Sequence, residues 1–296
     1  MNYKTENTLL CLNDVSVGYG DKMILKNVSL IEKNIIREGH ASTGQTIAFI
    51  GRSGRGKSTL FKALTGLLKP SSGQVLLTDL STEDKEDAKE VNEGDVGFVD
   101  QKYTLFRHKT VKQILDYAIR KKTSSKKESF ITRMLNFIMR KNTASKKENE
   151  EIINQYLTEW GLKEHSDKYS CQLSGGQRQR TAILEQMLTS KHFMIFDEPF
   201  SGLDVGNIEK VKLSFEKIQN DNELNTIIFS THDIRLAVEL ADSIYIVGFP
   251  EGNTEFSTII KNYDLKAMGL AWTEYGDGHR KLVSDIKELL LDYLIK

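Results

Sequence analysis

The stretch that decides the fold is "GRSGRGKSTL", residues 51–60, which lies between the apolar run "TIAFI" and the helix-like segment "TLFKALTGLL". Its glycine, four intervening residues and G-K-S match the G-x-x-x-x-G-K-[ST] phosphate loop. Glycines let backbone N–H groups curl around phosphate oxygens, and a helix N-terminus favours an anion. We therefore predict a buried strand, a phosphate-binding loop and a helix that runs to about Leu68.

Two side chains of this loop are predicted to contact the nucleotide directly. Lys57 is expected to reach the β- and γ-phosphates, and the Ser58 hydroxyl is expected to bind Mg²⁺. The other predicted nucleotide-binding residues of the stretch are Gly51, Ser53, Gly54, Gly56 and Thr59. The alternative is a glycine-rich turn with a solvated lysine, and the flanking strand and helix favour the phosphate loop.

The overall composition is that of a globular protein with balanced charge. The chain has 296 residues, of which 39% are hydrophobic, and its 41 basic residues equal its 41 acidic ones. Global charge therefore argues for neither a nucleic acid nor a membrane partner. The two cysteines, Cys11 and Cys171, lie far apart, which predicts no disulfide framework and fits a reducing cytosol. We find no secretory signal and no apolar run long enough to span a bilayer.

Two segments carry strong local charge. Residues 79–95 hold eight acids against two lysines, which is typical of a solvated surface. Residues 120–147 hold ten basic side chains against one glutamate, and Phe130, Met134 and Ile138 recur there every four residues. This pattern predicts an amphipathic basic helix. It either packs on its own domain or contacts anionic lipid headgroups or an acidic partner.

A second motif stands at the end of another apolar run, "FMIFDEP". Asp197 suits the Mg²⁺ shell, and Glu198 is placed to orient or deprotonate an attacking water. The alternative is a strand that ends in two solvated acids.

The stretch "LSGGQRQR", residues 173–180, predicts a second helix start that binds an anion. Ser174 followed by Gln177 has the spacing of a capping box. Gly175 and Gly176 are poor helix formers, and they make sense if a phosphate approaches closely. One molecule cannot easily aim both helix starts at one γ-phosphate, whereas two molecules arranged head-to-tail can.

The order of elements predicts an α/β fold. Short strands fill the first 50 residues, residues 103–188 have a helical pattern, and strands and helices then alternate up to Pro250. Such alternation predicts a parallel sheet with ligand chemistry at the carboxyl ends of its strands. Beyond Pro250 we predict only a terminal amphipathic helix.

These motifs, in this order from residue 9 to 250, resemble those of the ATP-binding cassette subunit of ABC transporters. The resemblance implies a P-loop NTPase with a RecA-like, mostly parallel sheet core, an N-terminal antiparallel β subdomain and an inserted α-helical subdomain. We accordingly predict an ATPase domain over 1–250, whose helical subdomain spans about 103–188 with a basic insertion at about 120–150. The remainder, 251–296, is predicted to be a C-terminal extension.

The resemblance also gives roles to residues that the sequence pattern alone leaves undecided. Tyr19 falls where the family stacks an aromatic ring on adenine, although a tyrosine there also suits a strand. Gln101 matches the glutamine that senses Mg²⁺ and water and links to the membrane partner. Asp204, in "SGLD", matches the loop that crosses the dimer interface, and Ser174 belongs to the signature that completes the opposite subunit's site. His232 matches the switch histidine that contacts the γ-phosphate.

The implied function is hydrolysis of bound ATP, with Mg²⁺ as the metal cofactor. The implied active form is a dimer of two copies, or of one copy and a paralogous cassette. The dimer would drive a separate integral membrane permease from the cytoplasmic face of the membrane. The motifs look most like importer cassettes of the nitrate, sulfonate and taurine group, with Phe200 as the main indication. The alternatives are an exporter subunit, or a non-transport ATPase that acts on the ribosome or on DNA. Non-transport relatives usually carry two cassettes or long coiled-coil or zinc insertions, which we do not find in this sequence, so a nucleic acid partner is disfavoured. The basic segment 120–147 keeps that alternative open.

Three features depart from the family pattern. Arg55 stands where the family has a small residue, and we expect it to point outward or toward phosphate. The loop 35–45 and the basic segment 120–147 look long, so they inherit no role from the resemblance.

Overall fold

The computed structural model divides the chain into two compact units. The first unit comprises residues 1–101 and 191–296, and the second comprises 102–190. Within them the structure describes residues 3–37, 44–78, 88–125, 142–189, 192–221 and 224–295. The centre of the predicted basic helix, much of the acidic segment and much of the loop 35–45 lie outside the described residues, so the predicted lipid contact remains a prediction.

The first unit begins with an antiparallel sheet. Its strands are β1 (Tyr3–Tyr19), β2 (Lys22–Arg37), β4 (Ser72–Leu77) and β5 (Lys89–Glu90), in the order β2-β1-β4-β5. Strand β1 pairs with β2 through several register shifts. The expected N-terminal antiparallel subdomain is therefore present.

A second, mostly parallel sheet forms the centre of the first unit. It has the order β10-β9-β3-β8-β7-β6, and every pair is parallel except β10 with β9. Its strands are β3 (Gln45–Ile50), β6 (Val96–Val99), β7 (Phe193–Phe196), β8 (Thr226–Thr231), β9 (Ser243–Gly248) and β10 (Thr258–Asp264). Parallel strands are covered on both faces and read as continuous apolar runs, which is why β3, β7 and β8 are buried at every residue.

The first helix is shorter than predicted. Helix α1 spans Lys57–Leu64 and begins directly after the glycine loop, whereas the sequence pattern predicted a helix to about Leu68. The N–H groups of Gly66 and Leu68 bond back to the carbonyls of Ala63 and Lys62, so the chain leaves the helix in a turn.

Two helices connect the later strands of the central sheet. Helix α5 (Val205–Asp221) lies between β7 and β8, and α6 (Ile234–Leu240) lies between β8 and β9. The aromatic rings of Phe196, Phe200, Phe215 and Phe229 contact each other in one buried cluster. This cluster packs α5 against β8 and against β7, the strand that directly precedes the two acids of "FDEP".

The C-terminal segment contains a strand that the sequence pattern did not predict. Strand β10 adds to the edge of the central sheet beside β9, and helix α7 (Asp277–Ile295) follows it. Because the sheet continues beyond Pro250, the segment after that residue is part of the first unit. The burial of β10 is mixed and lacks strict alternation, so its period-2 signal is weak.

The second unit is helical among its described residues. It contains α2 (Val111–Ser125), α3 (Asn142–Glu159) and α4 (Gly175–Thr189), with short 3₁₀ turns at Lys163–His165 and Ser170–Gln172. Across the described parts of both units, we find no helix with the length and apolar character needed to cross a membrane.

Candidate functional site

The phosphate loop and the carboxyl ends of β7 and β8 border one cleft in the first unit, with a volume of about 400 Å³. The cleft contains nine of the residues singled out in the sequence and two others. Its lining is Ile24, Ser53, Gly54, Gly56, Lys57, Ser58, Thr59, Gln101, Glu198, Ser201 and His232. Residues more than 170 positions apart in the chain therefore meet at one place, as expected for the strand ends of a parallel sheet.

The backbone of the loop has the shape that close approach to an anion requires. Gly54 and Gly56 have φ values of +79° and +91°, which side-chain-bearing residues rarely adopt. A Cβ on Gly54 would meet no atom within 4 Å, so the loop leaves open space above it. Backbone N–H groups that face open space at a helix start fit a phosphate chain.

Lys57 is the cation of the cleft. Its side chain is only 6% exposed, and its Nζ donates to the carbonyl oxygens of Gly51 at 2.6 Å and Arg52 at 3.3 Å. The same Nζ lies 3.3 Å from a carboxylate oxygen of Glu198. The ammonium group is therefore held at the loop by neighbours on two strand ends, in position to neutralise an anion.

Glu198 contacts both Lys57 and His232, the histidine in the loop that follows β8. The second oxygen of its carboxylate, Oε2, lies 2.8 Å from His232 Nδ1. The backbone of Glu198 has φ of +52°, a left-handed conformation that is uncommon for a residue with a side chain. Such conformations persist where the surroundings impose them, and they are frequent at functional sites.

The donor set beside the cleft fits a hard cation. Ser58, Gln101 and Asp197 offer a hydroxyl, a carboxamide and a carboxylate, and Mg²⁺ prefers oxygen ligands and typically keeps waters and phosphates with one or two carboxylates. Gln101 Nε2 donates to Ser201 Oγ at 3.3 Å, and Asp197 Oδ1 accepts from Ser230 Oγ at 2.7 Å. Among the described residues no cluster of three His, Cys, Asp or Glu side chains is suited to a metal.

Four predicted residues of the first unit lie outside the lining of the cleft: Gly51 and Asp197, which directly adjoin lining elements, and Tyr19 and Asp204. Tyr19 is 47% exposed, and its hydroxyl accepts a hydrogen bond from Lys62 Nζ at 3.3 Å, so its ring stands on the surface. Asp204 caps α5, because its Oδ1 accepts from the N–H of Asn207 at 2.9 Å. Their predicted contacts with adenine and with a second copy remain predictions.

Arg55 stacks on an aromatic ring of the same unit. Its guanidinium carbon lies 3.6 Å from the ring centroid of Phe249, just beyond β9. Burial and the neighbouring Arg52 lower the pKa of Arg55 below its ordinary value. This cation–π contact accounts for the large side chain at a position where we expected it to point outward or toward phosphate.

The signature residues lie in the second unit, at the start of α4. Ser174 N–H donates to Gln177 Oε1 at 2.9 Å, and Gln177 N–H donates to Ser174 Oγ at 3.3 Å, which is the capping box expected from the spacing. Gln177 Nε2 also lies 2.8 Å from His165 Nε2. Gly175 and Gly176 follow without a side chain, so the helix start is sterically open.

Sequence reasoning missed three residues of the site. Ile24 and Ser201 line the cleft, and Ser230 bonds to both acids at the end of β7. Ser201 stands in the motif "SGLD" and Ser230 stands two residues before His232, but a serine near a motif residue carries no signal of its own. Ile24 lies on β2, far from any motif, and only the fold brings it to the loop.

A comparison with family models matches residues 38–201 to the family described as ABC transporter. The chain belongs to the ABC transporter family. This membership confirms the resemblance inferred from the sequence motifs, and it identifies the chain as an ATP-binding cassette of that family. The expected P-loop NTPase architecture is likewise confirmed by the two sheets and by similar solved structures.

Several curated ABC relatives are ATP-binding proteins of transport systems. The chain is 30% identical over 80% of its length to the sulfate/thiosulfate import ATP-binding protein CysA of Synechocystis, of which it spans 58%. It is 32% identical over 84% of its length to CysA of Pectobacterium atrosepticum, spanning 69% of that protein. It is 33% identical over 79% of its length to the probable ABC transporter ATP-binding protein PEB1C of Campylobacter jejuni, spanning 84% of it.

Solved ABC structures share the fold. One is cbiO1 from Clostridium perfringens, described as part of the ABC transporter complex cbiONQ. It matches 90% of this chain and 92% of its own with a TM-score of 0.63 at 24% identity. Another, a nucleotide-free ATP-binding cassette from an ABC transporter, matches 94% of this chain with a TM-score of 0.63 at 19% identity.

Proposed function

We propose that this ABC cassette hydrolyses ATP to ADP and phosphate and so drives a separate membrane permease. The observation that carries the proposal is the line of side chains Lys57, Glu198 and His232 in one cleft, with 3.3 Å and 2.8 Å between their charged or polar atoms. A cation, a carboxylate and an imidazole beside a phosphate-binding loop are the groups that phosphoryl transfer to water uses.

Each of these groups has a distinct part in the proposed reaction. Lys57 and the loop N–H groups stabilise the negative charge that spreads over the transferred phosphoryl oxygens. Glu198 orients the attacking water and accepts its proton. His232 holds the Glu198 carboxylate through Nδ1 and is expected to contact the γ-phosphate. The reaction then needs positioning and charge stabilisation, and no covalent intermediate.

The proposed metal is Mg²⁺, which would neutralise part of the negative charge of the phosphates when bound. Ser58 and Gln101 on the cleft wall, and Asp197 beside it, would hold the ion. Asp197 is oriented by the Ser230 hydroxyl and by its own N–H, which donates to the carbonyl of Val99 at 3.0 Å. Tyr19 is proposed to receive the adenine ring on its exposed face.

We propose that two copies, or one copy and a paralogous cassette, close head-to-tail on two ATP molecules. The open start of α4 at Ser174, Gly175 and Gly176 suits an anion presented by another molecule. Gln177 Oε1 accepts the main-chain N–H of Ser174 in the capping box, so the proposed contact surface for the second ATP is already ordered in a single chain. Asp204, at the start of α5, is proposed to cross the same interface.

The proposed partner is an integral membrane permease, and the direction is import. Names of the relatives support this: two are sulfate/thiosulfate import ATP-binding proteins, and cbiO1 is part of a transporter complex. The cassette would then lie on the cytoplasmic face of the membrane.

Replacing Glu198 with Gln tests the proposed reaction. The amide keeps the size of the side chain but cannot accept the proton of water, so we expect kcat for Mg-ATP hydrolysis to fall by at least about 100-fold. Binding of a fluorescent ATP analogue should stay within a few fold of the wild type. A steady-state phosphate-release assay with a parallel binding titration measures both.

The control is Glu209→Gln, which changes an exposed acid on α5 that pairs with Lys212. It should leave both quantities unchanged. Wild-type turnover by the Glu198→Gln variant would remove this carboxylate from the role of base, and absence of hydrolysis by the wild type would overturn the proposed function.

A further inference from the structure

Ser230 forms a hydrogen-bonded bridge between the two acids at the end of β7. Ser230 lies on β8 and is completely buried. Its Oγ donates to Asp197 Oδ1 at 2.7 Å and accepts from the main-chain N–H of Glu198 at 2.9 Å. Nothing in the motif analysis gave this residue a role.

The direction of these two bonds follows from the chemistry of the groups. A backbone N–H can only donate, so Oγ must accept from Glu198, and its one proton is then available for the Asp197 carboxylate. A hydroxyl that accepts one bond and donates another to an ionised group is polarised by both, which strengthens each bond. The bridge therefore fixes a carboxylate and the adjacent main chain together.

The main chain that the bridge holds is strained. Glu198 has φ of +52°, and a non-glycine residue keeps such a conformation only where its neighbours impose it. Two groups at the end of β8 contact this residue: Ser230 Oγ accepts the main-chain N–H of Glu198, and His232 Nδ1 contacts its side-chain carboxylate. One strand end thus fixes both the backbone and the side chain of the same residue.

We propose that Ser230 is a positioning residue for ATP hydrolysis: its buried hydroxyl sets the backbone of Glu198 and the carboxylate of Asp197 at a fixed separation. This inference rests on the proposed function, because it concerns the geometry of the same site. Ser230 does not line the cleft, so it acts through the two acids and not on the nucleotide.

The test compares variants that differ by the hydroxyl alone. Ser230→Ala removes the bridge. Ser230→Thr and Ser230→Val add the same volume to the buried position, but only threonine keeps a hydroxyl. Ser214→Ala is the matched control, since Ser214 is also buried and its hydroxyl donates to the Lys210 carbonyl within α5, away from the cleft.

We expect Ser230→Ala and Ser230→Val to lower kcat by about 10- to 100-fold, as for a lost hydrogen bond to a charged group. Affinity for a fluorescent ATP analogue should change by less than about threefold, because the loop and Lys57 are untouched. Ser230→Thr should recover most of the kcat that Ser230→Val loses, and Ser214→Ala should turn over like the wild type.

Two results would overturn the inference: equal kcat for the threonine and valine variants, or wild-type kcat for Ser230→Ala. The Thr/Val pair decides even if the alanine variant is unstable, and thermal melting of all four variants identifies that case. If the wild type hydrolyses ATP and Glu198→Gln does not, a neutral Ser230→Ala refutes only the role of Ser230. If the wild type itself fails to hydrolyse ATP, the proposed function fails first.

Discussion

Asp242, at the start of β9, is a buried acid in the first unit. Its Oδ2 accepts the N–H of Thr46 at 2.7 Å, and the Arg37 guanidinium lies 3.9 Å from Oδ1. Burial nevertheless raises the pKa of its carboxyl to about 6, because these partners only partly offset the loss of hydration. At neutral pH the fold therefore carries a buried charge that water would solvate better.

This pKa shift predicts a pH-dependent difference in stability. An acid whose pKa rises on folding adds stability at low pH that is lost as the pH rises through the folded value. We expect Asp242→Asn to gain stability relative to the wild type between pH 4 and pH 7, by up to about 3 kcal/mol. The asparagine oxygen can still accept the Thr46 N–H. Urea unfolding of both proteins at several pH values measures the difference.

Unfolding measurements below pH 4 are the control for the comparison of Asp242→Asn with the wild type. Below pH 4 the wild-type carboxyl is neutral, so the two proteins should then differ least in unfolding free energy. A stability difference that stays constant from pH 4 to pH 7 would contradict the assignment of this buried charge.

At the scale of single elements, helix α5 packs one buried aromatic side chain against strand β7, which ends directly before Asp197 and Glu198. Phe215 is 3% exposed and contacts Phe196, Phe200 and Phe229. Phe196 immediately precedes Asp197, so the packing of α5 supports the position of the acids.

Phe215→Ala should lower the free energy of unfolding by about 3–5 kcal/mol, because it opens a cavity among rings that cannot collapse fully. Leu213→Ala on the same helix is the control. Leu213 is 54% exposed, so its loss should cost less than about 0.5 kcal/mol. Chemical denaturation of both variants gives the comparison, and similar losses for both would argue against the ring cluster as the support of α5.

The sequence predicted best those elements whose signal is local. The buried runs of β3, β7 and β8 and the glycine loop before α1 follow from periodicity and spacing, and the structure has them at nearly the expected residues. The end of α1 depended on backbone bonds of Gly66 and Leu68, which periodicity does not encode. Strand β10 was missed because a sheet edge has mixed burial and little alternation.

The same distinction holds for the site. Lys57 and Glu198 stand in motifs whose chemistry can be read from residue type and spacing, and both line the cleft. Ser230 and Ile24 could not be assigned, because their contacts arise from long-range pairing of strands. The roles of Tyr19 and Asp204 came from family resemblance and depend on a ligand and on a second molecule.

At the scale of the whole molecule, the two helix starts that are proposed to bind phosphate belong to different compact units. Lys57 begins α1 in the first unit, and Ser174 precedes α4 in the second. The proposed head-to-tail pairing of two copies brings one start of each kind to each ATP. Nucleotide should therefore control the association of the chain.

The most direct test is the mass of the Glu198→Gln variant in solution, measured by sedimentation with and without Mg-ATP. A hydrolysis-blocked cassette should be a monomer without nucleotide and a dimer at saturating Mg-ATP. Adding Ser174→Glu to this variant places a negative charge at the start of α4, where one copy is proposed to contact the ATP of the other. The double variant should therefore stay a monomer at saturating Mg-ATP. If Glu198→Gln binds ATP but stays monomeric at high protein concentration, the claim that two copies complete one site is contradicted.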